Sequence, residues 1–211
     1  MEILQRNFVS TDWITLVFLA GLVMIALMKL YKPQLLLGYS IAFFSQGFIE
    51  SRSSKNPSVF TVFHVLIFLF SLLIYSLSIH LLLANNIAGF NLSFLYTFLF
   101  VTGFILTKYI LVKLIVLTLD IEEDTRYFLF SKTGYLYAIS LWLYPILVLY
   151  QYWYSNSRVL IIYMLLLLAF RGFLIAKNNK KLIFNHFFYF ILYFCTLELA
   201  PLLIIYKTTT I

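Results

Sequence analysis

The sequence predicts an all-α fold, a polytopic transmembrane helical bundle of six spans plus one interfacial or re-entrant amphipathic helix, and three observations lead there. Of 211 residues, 63% are hydrophobic and 11% charged, against roughly 25% charged in an average globular chain, so a water-exposed surface of normal size cannot be built. The apolar runs are continuous instead of alternating with period two, which selects helices over a β-barrel. Backbone groups in lipid must be satisfied within the segment, and a helix does this.

The elements follow in chain order. The first nine residues include Glu2 and Arg6, and no small-residue cleavage pattern follows the first apolar run, so that run reads as a retained helix and not a cleaved leader. It extends from Trp13 to Tyr31, with Ser10, Thr11 and Asp12 as N-cap candidates and Trp13 at an interface. Further spans are predicted at Ser58 to Ala84, Ser93 to Leu119, Gly134 to Ser155, Arg158 to Ala176 and Ile183 to Tyr206. Each is near or above the ~20 residues needed to cross a bilayer. Between the first two spans, Gln34 to Ile49 follows Pro33, contains Gly38, Ser45, Gln46 and Gly47, and runs into ESRSSKNP. That segment is short for a span and reads as a helix in the interface or packed under the bundle. No linker or internal repeat divides the chain, so residues 1–211 read as a single integral membrane domain.

Charge sets orientation. Alternating loops place Lys29, Lys32, Arg52, Lys55, Arg126, Lys132, Lys177, Lys180 and Lys181 on one side, and only Arg6, Arg158 and Lys207 on the other. By the positive-inside rule the first side is cytoplasmic, so both termini are expected to face away from the cytoplasm. The net charge of +7 is accounted for by orientation and anionic lipid, and no groove-reading motif points to nucleic acid. The acidic cluster Asp120, Glu122, Glu123 and Asp124 reads as a solvated helix end, or as a docking point for a basic partner.

Polar residues inside spans are the candidate functional residues, because a charge at the bilayer centre costs roughly 2.5 to 3.5 kcal/mol on insertion scales. Glu198 is the one charged residue between Ile183 and Tyr206 and stands three positions before Pro201, whose ring cannot donate to the Leu197 carbonyl. Counting about 1.5 Å per residue puts Lys108 roughly 3 Å to the cytoplasmic side of the midplane and Glu198 roughly 5 Å to the outer side. Lys113 lies about 140° further around the helix from Lys108 and, like Arg171 near the cytoplasmic end of its span, can snorkel. Glu198, Lys108, Lys113, Arg171 and Pro201 therefore form the expected intramembrane polar site. It is read first as a structural ion pair of Glu198 with Lys108 or Arg171, and alternatively as a proton or cation relay. His64, Asn185 and His186 form a possible second polar pocket, with packing as the simpler role.

No phosphate-cradling loop, HExxH, paired-Cys zinc pattern or Asp-rich cluster is present, so the residues imply no metal and no cofactor. Cys195, alone inside a span, reads as a small buried hydrophobe. An enzyme acting on lipid-linked substrates would have only His64, His186 and Glu198 as acid and base candidates. Short loops and few catalytic groups instead suggest a non-enzymatic subunit or scaffold of a cell-envelope assembly, such as secretion, motility or surface-polymer export. Its expected partners are membrane lipids and other membrane proteins. A proton- or cation-coupled carrier using Glu198 is the alternative.

RGFLIAK followed by FILYFCTLELAPLLIIYK, with LTKYILVKLI, YFLFSKTGYLYAISLWLYPILVL and FFSQGFIESRSSKNPS before them, resembles an uncharacterised Bacteroidota inner-membrane family catalogued as domain of unknown function 4271. The likeness covers nearly the whole chain. It implies a polytopic bacterial inner-membrane protein with no agreed activity, whose termini, facing away from the cytoplasm, would then be periplasmic, and places the family's recurring positions on Lys113, Gly134, Pro145, Arg171, Cys195, Thr196, Glu198, Pro201 and Lys207. Ser131 stands where the family pattern implies Asn.

Overall fold

A computed structural model describes residues 12–42, 47–48, 61–86, 93–118, 122–153 and 156–178. The described residues form six helices: α1 (Asp12–Tyr31), α2 (Pro33–Ser40), α3 (Val62–Asn86), α4 (Phe94–Thr118), α5 (Glu122–Tyr152) and α6 (Ser157–Asn178). All but α2 are long and apolar enough to cross a membrane, and they correspond to the first five spans expected from sequence. The sixth, Ile183 to Tyr206, lies outside the described residues. At eight residues α2 is too short to cross. It starts at Pro33, where a missing N–H costs nothing in the first turn, and ends at Ser40, earlier than the Ile49 expected, with residues 43–46 and 49 outside the described set. Residues Glu122 to Asp124 belong to the first turn of α5, so that helix begins before the predicted Gly134 and continues a membrane span into a charged end.

The bundle is built around α3, which packs against α1, α4, α5 and α6. Phe63, Ile67, Phe70, Ile74 and Leu77 are fully or almost fully buried, and their spacing of three and four residues puts them on one stripe. The α1 stripe of Ile14, Phe18, Gly21 and Met28 is buried with the same spacing. Gly21 is the close-approach point. A Cβ there would sit 3.0 Å from the Tyr144 ring of α5 and 3.6 Å from Phe70 of α3, so two large rings meet over a residue without a side chain. Trp13 meets His80 at the other end of α1, and Thr15 bonds Tyr152 at 2.9 Å. Hence α1 runs antiparallel to both α3 and α5, and those two are parallel, as alternating spans require.

The short α2 turns back against α5. Tyr39 is buried among Phe63, Tyr137 and Phe48, and the Ser40 carbonyl accepts from the Trp142 indole at 2.9 Å. A Cβ at Gly38 would overlap the Phe48 ring, which explains a glycine inside this short helix despite its helix cost of about 1 kcal/mol relative to alanine. Pro145 lies within α5 and is exposed, a tolerated position for a proline in a membrane helix.

Candidate functional site

The polar groups inside the bundle line up on one face of α5. Lys132, Leu136 and Ser140 follow one another at intervals of four, so they lie above one another on the helix. The Lys132 carbonyl accepts from Arg171 Nη2 of α6 at 3.3 Å. The Leu136 carbonyl accepts from the Tyr75 hydroxyl of α3 at 2.7 Å. Ser140 Oγ meets Ser71 Oγ of α3 at 2.8 Å, and both serines are buried. Together these contacts join α3, α5 and α6.

Ser71 also donates to the Ile67 carbonyl at 2.7 Å and Ser140 to the Tyr137 carbonyl at 2.8 Å. Each hydroxyl carries one proton and two acceptor lone pairs, so two protons are available for three contacts. Chemically the ladder is interhelical glue: hydroxyls and a guanidinium spent on carbonyls of a neighbouring helix. Such bonds contribute about 0.6 kcal/mol on average and up to about 1.7 kcal/mol in membrane bundles. Tyr75→Phe is therefore expected to lower stability within that range, and a Ser71→Ala, Ser140→Ala cycle to show a coupling of similar size. Thermal or denaturant unfolding in detergent checks both.

A second cluster lies at the other end of α3. His80 Nδ1 is 3.2 Å from Thr97 Oγ1 of α4. The Trp13 ring stands edge-on to His80 at 5.3 Å, and Phe94 packs against both at 5.2 and 5.8 Å. Beside them opens a mostly apolar crevice of about 470 Å³, lined by residues of α1, by Ser93 and the first two residues of α4, and by His80.

The sequence-predicted residues fall as follows. Lys108 is half-buried and Lys113 exposed on α4. Arg171 is half-buried in the α5 ladder. His64 is buried, bonded through Nδ1 to Thr61 Oγ1, and edge-on to Phe63. Glu198, Pro201, Asn185 and His186 lie outside the described residues. Ser71, Ser140, Tyr75 and His80 were not singled out from sequence. Their partners sit on other helices 17 to 69 positions away, and an uncharged hydroxyl in an apolar run carries no signal of its own. Among the described residues no group of three or more His, Cys, Asp or Glu could hold a metal ion.

The family described as Domain of unknown function (DUF4271) matches residues 14–209. No curated protein and no solved structure matches the chain.

Proposed function

The chain belongs to the DUF4271 family, and from that premise we propose that it is a membrane-integral, non-enzymatic subunit or scaffold of a cell-envelope assembly such as secretion, motility or surface-polymer export. The observation that carries this reading is α4. Only 11% of its most apolar stretch is buried, against 56% for α3, and it presents Gly103, with nothing among the described residues within 4 Å of a Cβ, and exposed Thr107 one turn further on the same side. Small and polar residues together are what membrane helices present to one another, since lipid supplies no hydrophobic drive between helices. Purification of the native protein in gentle detergent should bring a stoichiometric membrane partner. Repeated recovery of the chain alone, fully functional after reconstitution, would contradict the reading.

Within that role the intramembrane site centres on Glu198 of a sixth span, paired with Lys108 of α4 as a structural ion pair. The half-buried position of Lys108 within an apolar helix supports this, because intramembrane charges are tolerated when they face a bundle and find a partner. The same lysine supports the carrier alternative, in which Glu198 exchanges protons or binds a cation. Under that alternative Glu198→Gln abolishes function in a protein that still inserts and stays stable.

The five described apolar helices, a proposed sixth span at 183–206 and the charge bias support a bacterial inner-membrane protein with both termini periplasmic. Membrane-impermeant labelling of single cysteines at tagged termini in whole cells is expected to modify both. Protection of the C terminus would overturn this topology.

A further inference from the structure

We infer that the elbow between α1 and α2 binds one anionic phospholipid, with its phosphate on Lys29 and Lys32 and its acyl chains along the exposed stripes that run inward from there. Nothing in this rests on the reading of α4. The two lysines are three positions apart, and the backbone stays helical between them, since the Lys32 N–H donates to the Met28 carbonyl at 3.1 Å. They therefore stand as neighbours on one turn. Both are exposed, and neither ammonium is engaged in a hydrogen bond or ion pair among the described residues. Asp12, the one acidic residue of α1 and α2, is at the far end of α1, about 26 Å from Lys29 along the axis. The elbow thus carries positive charge that these two helices leave unneutralised.

The second observation is the depth order of the side chains below the elbow. Gly21 stands over Phe70, and Lys32 is about 16 Å further along α1, while α3 begins about 12 Å from Phe70 in the same direction. Lys32 therefore sits at, or just beyond, the membrane-edge end of α3. From there α2 turns back into the bundle. Its Ser40 carbonyl accepts from the Trp142 indole, and Trp142 is two residues past Ser140, which meets Ser71. The end of α2 thus lies roughly 10 Å inside the start of α3. Along this descent the exposed side of α2 reads Gln34, Leu37 and Ile41, spaced at three and four on one face, with Leu35 and Tyr39 buried on the other. On α1, exposed Ala26 and Leu22 run inward from Lys29 at the same spacing. Both stripes are cationic or polar at the membrane edge and apolar further in, which is the order in which a phospholipid presents its phosphate and its acyl chains. Lysines at such an edge attract acidic headgroups.

The test is native mass spectrometry of the purified full chain with phosphatidylglycerol or phosphatidylcholine of matched acyl chains added singly, and with inorganic phosphate as competitor. Wild type is expected to retain the first phosphatidylglycerol over phosphatidylcholine by roughly twenty-fivefold, about fivefold for each of two lysines near a membrane surface. Lys29→Gln and Lys32→Gln should each lower this ratio by about fivefold, and the double variant should remove most of the preference. Lys177→Gln, at the exposed end of α6, should leave it unchanged. Leu37→Asn should weaken retention of both lipids while keeping their ratio. Equal retention of the two lipids by wild type, or an undiminished ratio in the double variant, would overturn the site. So would an equal loss in Lys177→Gln, because the preference would then follow overall charge and not the elbow. Unchanged retention in Leu37→Asn would overturn the acyl-chain track, and displacement by inorganic phosphate at matched concentration would overturn the lipid assignment. If the double variant does not insert, the single variants decide: an undiminished ratio in both counts against the site.

Discussion

Gly21→Leu is expected to separate α1 from the rest of the bundle. The new side chain enters where a bare Cβ would already stand 3.0 Å from Tyr144 and 3.6 Å from Phe70. Both rings are themselves held. Phe70 is fully buried at the centre of α3, and the Tyr144 hydroxyl donates to the Phe18 carbonyl at 3.0 Å. Neither can move aside without opening another contact, so the cost sits at or above the ~1–3 kcal/mol typical of overpacking. The expected readouts are a lowered unfolding midpoint in detergent and increased protease access to the end of α1. Gly21→Ala should show the same direction with a smaller effect. A Gly21→Leu protein as stable as wild type would mean that α1 does not meet α3 and α5 at this point.

The second large effect concerns the proposed Glu198–Lys108 pair. Removing one member of a buried pair strands the other charge and costs about 3–5 kcal/mol, so Glu198→Ala should sharply reduce stability and membrane yield. Lys108→Ala alone should do the same. The double variant should recover much of the loss, because neither charge is then left unpaired. Glu198→Gln separates pair from relay: a stable, fully active Gln variant rules out the relay, whereas an inserted, stable and inactive one favours it. Absence of rescue in the double variant would remove Lys108 as the partner.

The architecture was legible in the sequence because a bilayer imposes a length rule: five described helices coincide with apolar runs, and their ends fall within a few residues of those expected except at α5. There the charged residues from Glu122 onward hid a helical extension, since a hydrophobic run marks where a helix enters lipid and not where it begins. The short α2 was legible from Pro33, but its end at Ser40 depends on Tyr39 and Ser40 meeting Phe63, Tyr137 and Trp142 of other helices. The polar interior was legible only where it carried charge. Arg171 stood out in its span, whereas Ser71, Tyr75 and Ser140 did not, because half of each interaction is made by a backbone carbonyl or a serine on a distant helix. The carbonyl ladder at Lys132 and Leu136 belongs to the fold and not to residue type. Glu198, the strongest sequence signal, lies outside the described residues and keeps its role as a proposal.

The claim that α4 is a face for another membrane protein is tested most directly by photo-crosslinking in native membranes, with a photoreactive residue placed singly at Leu99, Gly103, Leu106, Ile110 and buried Val101. The first four share an exposed side of the helix. The account predicts adducts to one separate polypeptide at those four positions and none to it at Val101. Adducts only to lipid or to this same chain at every position would contradict it.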